Sequence, residues 1–167
     1  MTEHTDARDE QHDEQPARRL GGKAKIIFTL LAIGVIFFII KGNRTLDPPK
    51  GWINNDLAEA RELARTEGRN MLVLFVQSPP SDRDRALRNG TLAKGENLQA
   101  VREYNLVAVM LRVGSKDRTD VFEVYDLSRD ALPAMVIFDP DGNELGRHEG
   151  SIGELDFRDT FLKDTLD

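Results

Sequence analysis

The chain has 167 residues, of which 23 are Lys or Arg, 29 are Asp or Glu and none is cysteine, and its net charge is −6. An acidic balance argues against general nucleic-acid binding, which requires a basic face. The absence of cysteine excludes disulfides, thiolate nucleophiles and Cys-ligated metal within the chain. Of its three histidines only His148 lies outside the polar N-terminal stretch, so the sequence predicts no metal site and no cofactor.

Two N-terminal segments differ sharply in composition. Residues 1–25 contain almost no apolar side chain. Such a segment cannot bury enough surface to fold, so we expect a disordered cytoplasmic tail. Residues 26–40 carry no charge and have lysines at both flanks. The run is shorter than the roughly 20 residues that span a bilayer as a helix, but flanking lysines extend the effective span. These features predict a single-pass transmembrane anchor.

Two alternatives stay open for the apolar run, a buried core helix and a cleaved signal peptide. An all-round apolar helix beside a polar tail has no core to enter, and no small-residue cleavage pattern follows the run. Four basic residues precede it and three follow it, which favours a cytoplasmic N-terminus. We therefore expect a cytoplasmic-membrane protein whose C-terminal domain lies outside the cytoplasm.

Residues 41–50 are interpreted as a linker, and residues 51–167 as one domain with 15 basic and 22 acidic residues, a net charge of −7. Its first helix is predicted over 54–67, with Asp56 as the cap, Glu59 three residues later and Gly68 as the stop. Strands are predicted over 71–76, 106–111, 134–138 and 143–149, with a turn over 139–142 between the last two. Helical pieces over 82–103, broken at Asn89-Gly90 and at Gly95, follow the first of these strands, and a helix over 119–126 follows the second. A last helix opens with a capping box of Ser151 and Glu154, and its inner side carries Leu155, Phe161, Leu162 and Leu166.

The order of these elements predicts the fold class. Continuous apolar runs at 71–76 and 106–111 are typical of strands buried on both faces, and the crossover between them makes the pair parallel. The strands over 134–138 and 143–149 form an antiparallel hairpin, and the polar last strand suits a sheet edge. The prediction is a three-layer α/β/α sandwich around a mixed sheet.

Specific residues carry a resemblance to a known superfamily. Trp52, the helix DLAEARELARTEGRN, the strand MLVLFV and the stretch ALPAMVIFDPDGNELGRHEG (131–150) occur in the order of a thioredoxin-like domain. Over about residues 51–165 the chain resembles bacterial thioredoxin-like domains, with Pro133 at the position of the family's cis-proline. The resemblance implies a thioredoxin-like fold, preceded here by a single transmembrane helix.

The resemblance fails at the redox motif. The family's redox members carry Cys-x-x-Cys where this chain has Ser78-Pro79-Pro80-Ser81. Disulfide exchange requires a thiolate, so the chain is expected to lack thiol–disulfide oxidoreductase activity. A catalytic Ser78 would need a general base within hydrogen-bond reach. We expect Ser78 instead to cap the next helix, with Pro79 in its first position.

The family also implies a non-covalent site. Its cis-proline loop pairs with an extended peptide through the residue before the proline, here Leu132. The resemblance therefore implies a peptide-binding groove at Leu132, Pro133 and Ser78, and a protein or peptide partner bound without reaction. Two alternatives stay open: a non-thiol enzyme, either glutathione-handling or serine-dependent, and a purely structural domain.

Two charged stretches are weaker candidates. The acidic run that begins at Asp139 has its glycine in the fourth position, not the sixth that an EF-hand loop requires, so a hairpin turn explains it better than calcium. Arginines at 83, 85 and 88 follow a helix start, where anions are favoured, but their alternation with acids is typical of a solvated helix face.

Overall fold

A computed structural model of the chain describes residues 22–42, 45–114, 118–128 and 130–167. The chain forms two compact units, Met1–Phe38 and Ile39–Asp167. Helix α1 (Gly22–Gly42) covers the predicted apolar run, and its apolar side chains between 26 and 37 are exposed. Within the described residues, no helix combines the length and apolarity needed to cross a membrane. The predicted disordered tail falls on residues 1–21, which lie outside the described residues, and on the first turn of α1.

The second unit is built on a five-stranded mixed sheet in the order β1-β3-β2-β4-β5. The strands are β1 (Ile53–Asn54), β2 (Met71–Ser78), β3 (Val107–Gly114), β4 (Ala134–Phe138) and β5 (Glu144–Glu149). Strands β2 and β3 are parallel, while β4 is antiparallel to both β2 and β5. The parallel β2–β3 pair, the antiparallel β4–β5 hairpin and the edge position of β5 confirm the predictions. The two-residue strand β1 was not predicted.

The helices of this unit are α2 (Leu57–Glu67), α3 (Asp82–Ala86) with a π-helical continuation (Leu87–Leu92), α4 (Gly95–Glu103), α5 (Arg118–Tyr125), and a C-terminal helix made of α6 (Glu154–Asp156), a π-helical part (Phe157–Leu162) and α7 (Lys163–Leu166). The Asp56 carboxylate accepts from the Glu59 N–H at 2.9 Å, which confirms it as the cap of α2. The predicted break at Asn89-Gly90 is wrong, because both residues lie inside the π-helical continuation of α3.

Two hydrophobic clusters cover opposite faces of the sheet. Because side chains alternate along a strand, Leu72 and Leu74 of β2 pack toward α3, α4 and the C-terminal helix. Val73 and Phe75 pack on the other face toward α2 and α5. All four side chains are fully buried. The three-layer arrangement predicted from the apolar runs is therefore the one observed.

The predicted start of the C-terminal helix is wrong. Its N-cap is Gly153, which makes no side-chain cap bond, and Ser151 is exposed. A Cβ at Gly153 would lie 2.9 Å from Asp156 Oδ2, the far end of an exposed side chain. Leu155, expected on the inner side, is 61% exposed, whereas the buried side chains come from Phe157, Phe161 and Leu162.

Residues 45–50, interpreted from the sequence as part of a linker, belong to the second unit and contact its core and its strands. Leu46 belongs to its hydrophobic core. The Arg88 guanidinium donates to the carbonyls of Asp47 at 2.8 Å and Pro48 at 3.1 Å. Arg112 of β3 donates to the Leu46 carbonyl and to the Asn54 side chain. These contacts attach residues 46–48 to the rest of the unit.

Candidate functional site

The junction between β2 and α3 differs from its predicted form. Ser78 is the last residue of β2, and the Ser78–Pro79 peptide bond is cis. The helix starts only at Asp82, and its N-cap is Ser81. The expectation that Ser78 caps the helix with Pro79 in its first position is therefore wrong. The two serines have different roles, since one ends a strand and the other opens a helix.

Ser81 and Asp84 form a reciprocal capping box. The Ser81 hydroxyl accepts from the Asp84 N–H at 3.2 Å, while the Asp84 Oδ2 accepts from both the N–H and the hydroxyl of Ser81 at 2.6 Å. Asp84 is fully buried, and its other carboxylate oxygen has no hydrogen-bond partner among the described residues. The arrangement pairs N–H donors at the start of the helix. It also leaves the Ser81 hydroxyl donating its hydrogen to the Asp84 carboxylate.

This geometry gives no support to a serine nucleophile. A carboxylate by itself is a weak activator of a hydroxyl, and a histidine is the usual base. His148 lies on β5 opposite Met135, with its Nε2 3.4 Å from the Ser151 carbonyl and its ring against Phe161. These contacts belong to the surface between β5 and the C-terminal helix, not to the β2–α3 junction.

The cis-proline loop is held by the end of β5. The Leu132–Pro133 bond is cis, which confirms the prediction for Pro133. The Gly150 N–H donates to the carbonyls of Pro133 at 2.7 Å and Ala131 at 3.1 Å. Gly150 has φ +87°, a conformation that favours glycine. Within the described residues, neither the N–H nor the C=O of Leu132 has a hydrogen-bond partner, although Leu132 is only 2% exposed.

The loop and the helix start meet at one open pocket. It is lined by Gln77, Ser81, Asp82, Arg83, Asp130 and Leu132. The structure thus brings together Ser81 and Leu132 of the predicted site, whereas Ser78 and Pro133 do not line the pocket. Gln77 and Asp130 also line the pocket and were not predicted from the sequence. Gln77 directly follows the apolar run of β2, and Asp130 stands two positions before Leu132. Neither belongs to a motif, so only the resemblance to thioredoxin-like domains could have suggested them.

The chain that leads into the loop is fixed by Arg147 of β5. Its guanidinium donates to the carbonyls of Asp126 at 2.8 Å and Tyr125 at 3.1 Å, at the end of α5. It also pairs with Glu144, and hydrogen bonds from Arg147 hold the pKa of the Glu144 carboxyl below its usual value. Burial raises the pKa of Tyr125, whose hydroxyl accepts from Arg61 at 2.7 Å. Arg147 on β5 thus holds the chain before the cis-proline loop, and Gly150 directly after β5 holds the loop itself.

Solved structures with a similar fold include two thioredoxins and one DsbD C-terminal domain. The chain matches a thioredoxin from Thermus thermophilus with a TM-score of 0.55 and 21% identity, covering 68% of this chain and 84% of that one. It matches the reduced DsbD C-terminal domain of Neisseria meningitidis with a TM-score of 0.56 and 17% identity, covering 68% and 99%. A poplar thioredoxin h mutant gives a TM-score of 0.52 and 15% identity, covering 74% and 92%. No family model matches the sequence, and the search of curated proteins gives no match.

At these identities the comparisons establish the fold alone. The second unit is a thioredoxin-like α/β domain with a mixed sheet. Because the chain contains no cysteine, this fold fits a domain that is inactive in thiol–disulfide exchange.

Proposed function

We propose that the domain binds an extended polypeptide without reacting with it, in the groove between the cis-proline loop and the start of α3. We define this groove by its lining residues, Gln77, Ser81, Asp82, Arg83, Asp130 and Leu132. Binding there needs no sulfur, because the attraction comes from main-chain hydrogen bonds and side-chain contacts.

The observation that carries the proposal is the unpaired backbone of Leu132. Buried N–H and C=O groups are nearly always hydrogen-bonded, because leaving them unpaired costs free energy. Both main-chain groups of Leu132 lack a partner among the described residues, and the residue lines the groove. An extended segment laid along this loop supplies one acceptor and one donor at the required spacing.

Membrane anchoring through residues 26–40 is the second part of the proposal. It is supported by the absence of charge in that run, by the lysines at its flanks and by the exposure of its described apolar side chains. Exposed apolar surface of this extent calls for an apolar cover. Resistance of the protein to alkaline extraction from membranes tests the anchor, and a reporter enzyme fused after Asp167 tests whether the domain lies outside the cytoplasm.

Site-specific photo-crosslinking tests the groove. A photoreactive amino acid is best placed at Asp130 or Asp82, since both are exposed and line the groove, whereas replacing buried Leu132 would disturb the core. Glu59 on α2 is an exposed control position. We expect a polypeptide adduct from the groove positions and none from Glu59. The captured segment, made as a synthetic peptide, should shift the amide NMR signal of Leu132 in the purified protein.

The alternatives give different results. If the domain is a glutathione-handling enzyme, calorimetry should detect binding of millimolar glutathione. A groove that binds only polypeptides does not require this signal. A purely structural domain predicts no adduct at Asp130 or Asp82. Equal adduct yields at Glu59 and at the groove positions would also contradict the proposal, because they indicate contact without a defined site.

A further inference from the structure

A second pocket lies at the other end of the sheet from the groove. It is formed where β2 and β3 begin, and its volume is about 250 Å3. Three basic side chains line it: Lys50 before β1, Arg69 before β2 and Arg102 on α4. None of the described residues that line it carries a carboxylate. Three other pockets of the described residues, by contrast, are each lined by at least two carboxylates. In a domain with a net charge of −7, this is a local reversal of sign.

One of the three cations is already committed. Arg69 donates from Nε to the Asn105 carbonyl at 2.8 Å and from Nη2 to the Leu106 carbonyl at 2.9 Å. Its remaining nitrogen pairs with Glu67 at 2.6 Å, which compensates its charge. Arg69 therefore ties the loop before β3 to the loop before β2 and shapes the pocket wall.

The other two cations have no such partners. Lys50 and Arg102 are both exposed, and within the described residues neither forms an ion pair or a side-chain hydrogen bond. Two positive charges thus converge on one concavity without compensation. An anion bound in the pocket would be attracted by both side chains.

We propose that this pocket binds a small phosphate monoester. A phosphate monoester carries about −1.5 to −2 charges at neutral pH and offers three acceptor oxygens. That charge matches the two uncompensated cations, whereas a carboxylate matches one. Arginine binds phosphate in a bidentate manner and lysine acts as a point charge. The pocket volume of about 250 Å3 leaves room for a small group attached to the phosphate.

Trp52 serves as a reporter for the pocket. It lines the pocket, and its indole N–H is buried without an acceptor among the described residues. Trp52 is also the only tryptophan in the chain, so any change in tryptophan fluorescence arises at this pocket.

The test is a fluorescence titration of the full-length protein in uncharged detergent with inorganic phosphate and with glycerol 3-phosphate, at constant ionic strength. We expect a saturable change in Trp52 emission, and isothermal calorimetry should give the same midpoint. In Lys50→Gln and in Arg102→Gln the midpoint should rise roughly tenfold, because each loses one charge-assisted contact. Lys163→Gln, on exposed α7, makes the same charge change elsewhere and should leave the midpoint unchanged.

Three results would overturn the proposal. Calorimetry could show no saturable binding of either phosphate compound. The midpoint could be the same in Lys50→Gln, Arg102→Gln and the unaltered protein. Vesicles of phosphatidylglycerol could change the emission through Lys50 and Arg102 while free phosphate monoesters do not, which would identify a lipid-surface contact instead of a small-molecule pocket.

Discussion

The contact between β5 and the C-terminal helix rests on the absence of a side chain at Gly146. A Cβ at this position would lie 2.7 Å from Thr165 Oγ1, 2.9 Å from Thr165 Cγ2 and 3.4 Å from Thr165 Cβ. Contacts under 3.0 Å require a displacement. The backbone of Gly146 does not have a positive φ, so the conformation itself accepts alanine. Gly146→Ala therefore isolates a packing effect.

The expected cost follows from these distances. Rotation about the Thr165 Cα–Cβ bond can move either Oγ1 or Cγ2 away from the new methyl group, but not both. The Thr165 Cβ does not move in this rotation. Overpacking of this kind typically costs 1–3 kcal/mol. The loss of unfolded-chain entropy on replacing glycine returns about 0.4–1 kcal/mol. We expect Gly146→Ala to lower the free energy of unfolding by about 1–2 kcal/mol.

A double-mutant cycle measures this contact. Urea unfolding of the full-length protein, followed by the emission of Trp52, reports on the second unit. Thr165→Ala removes Oγ1 and Cγ2 and leaves only the 3.4 Å contact. Gly146→Ala should therefore cost little in a Thr165→Ala background, with a coupling energy of about 1 kcal/mol. Gly90→Ala is the control, because a Cβ there meets nothing within 4 Å and its φ is not positive.

The reasoning fails if Gly146→Ala is as stable as the unaltered protein. It also fails if Thr165→Ala does not relieve the defect, since the strain would then arise elsewhere. A loss of stability in Gly90→Ala equal to that in Gly146→Ala would show that the effect comes from the change of residue type and not from the contact with the helix.

Two further predictions concern the groove and its support. Ser81→Ala should lower the free energy of unfolding by about 1–2 kcal/mol, because it removes the cap and a partner of buried Asp84; Ser151→Ala, which removes no cap bond, should be near neutral in the same urea assay. The Glu144 pKa is lowered by Arg147, so its contribution to stability is present above the unfolded value near 4.5 and is lost as the pH falls through the lower folded value. Glu144→Gln should flatten this part of the urea-midpoint profile, and an unchanged profile would contradict the assignment.

Long apolar runs made most of the sheet predictable. The run over 71–76 could only be buried on both faces, and the run over 134–138 matches β4 residue for residue. Strand β1 could not be predicted in this way. It has two residues, and it exists because Asn55 donates to the Met110 carbonyl at 2.8 Å and its side chain accepts from the Arg112 N–H. A strand defined by its neighbour leaves no periodic signal of its own.

Capping patterns were less reliable than apolar runs. Asp56 and Ser151 both stand three residues before a glutamate, but only Asp56 caps a helix. The C-terminal helix begins after Gly153 because the packing of Phe157 and Phe161 fixes where its first turn lies. A cap contributes about 1 kcal/mol, and the burial of one large aromatic side chain outweighs it. Packing therefore decided between starts that the local sequence left nearly equal.

The sequence by itself determined the class of fold and the absence of thiol chemistry, while the position of the cis-proline followed from the resemblance to thioredoxin-like domains. These depend on residue types and on short-range order, which are written along the chain. Only the tertiary structure decided that Ser81 and not Ser78 opens α3, that the main-chain groups of Leu132 find no partner in the described part of the chain, and that three basic residues from positions 50, 69 and 102 share one pocket. Each of these depends on which distant segments the fold brings together, and no local pattern encodes that proximity.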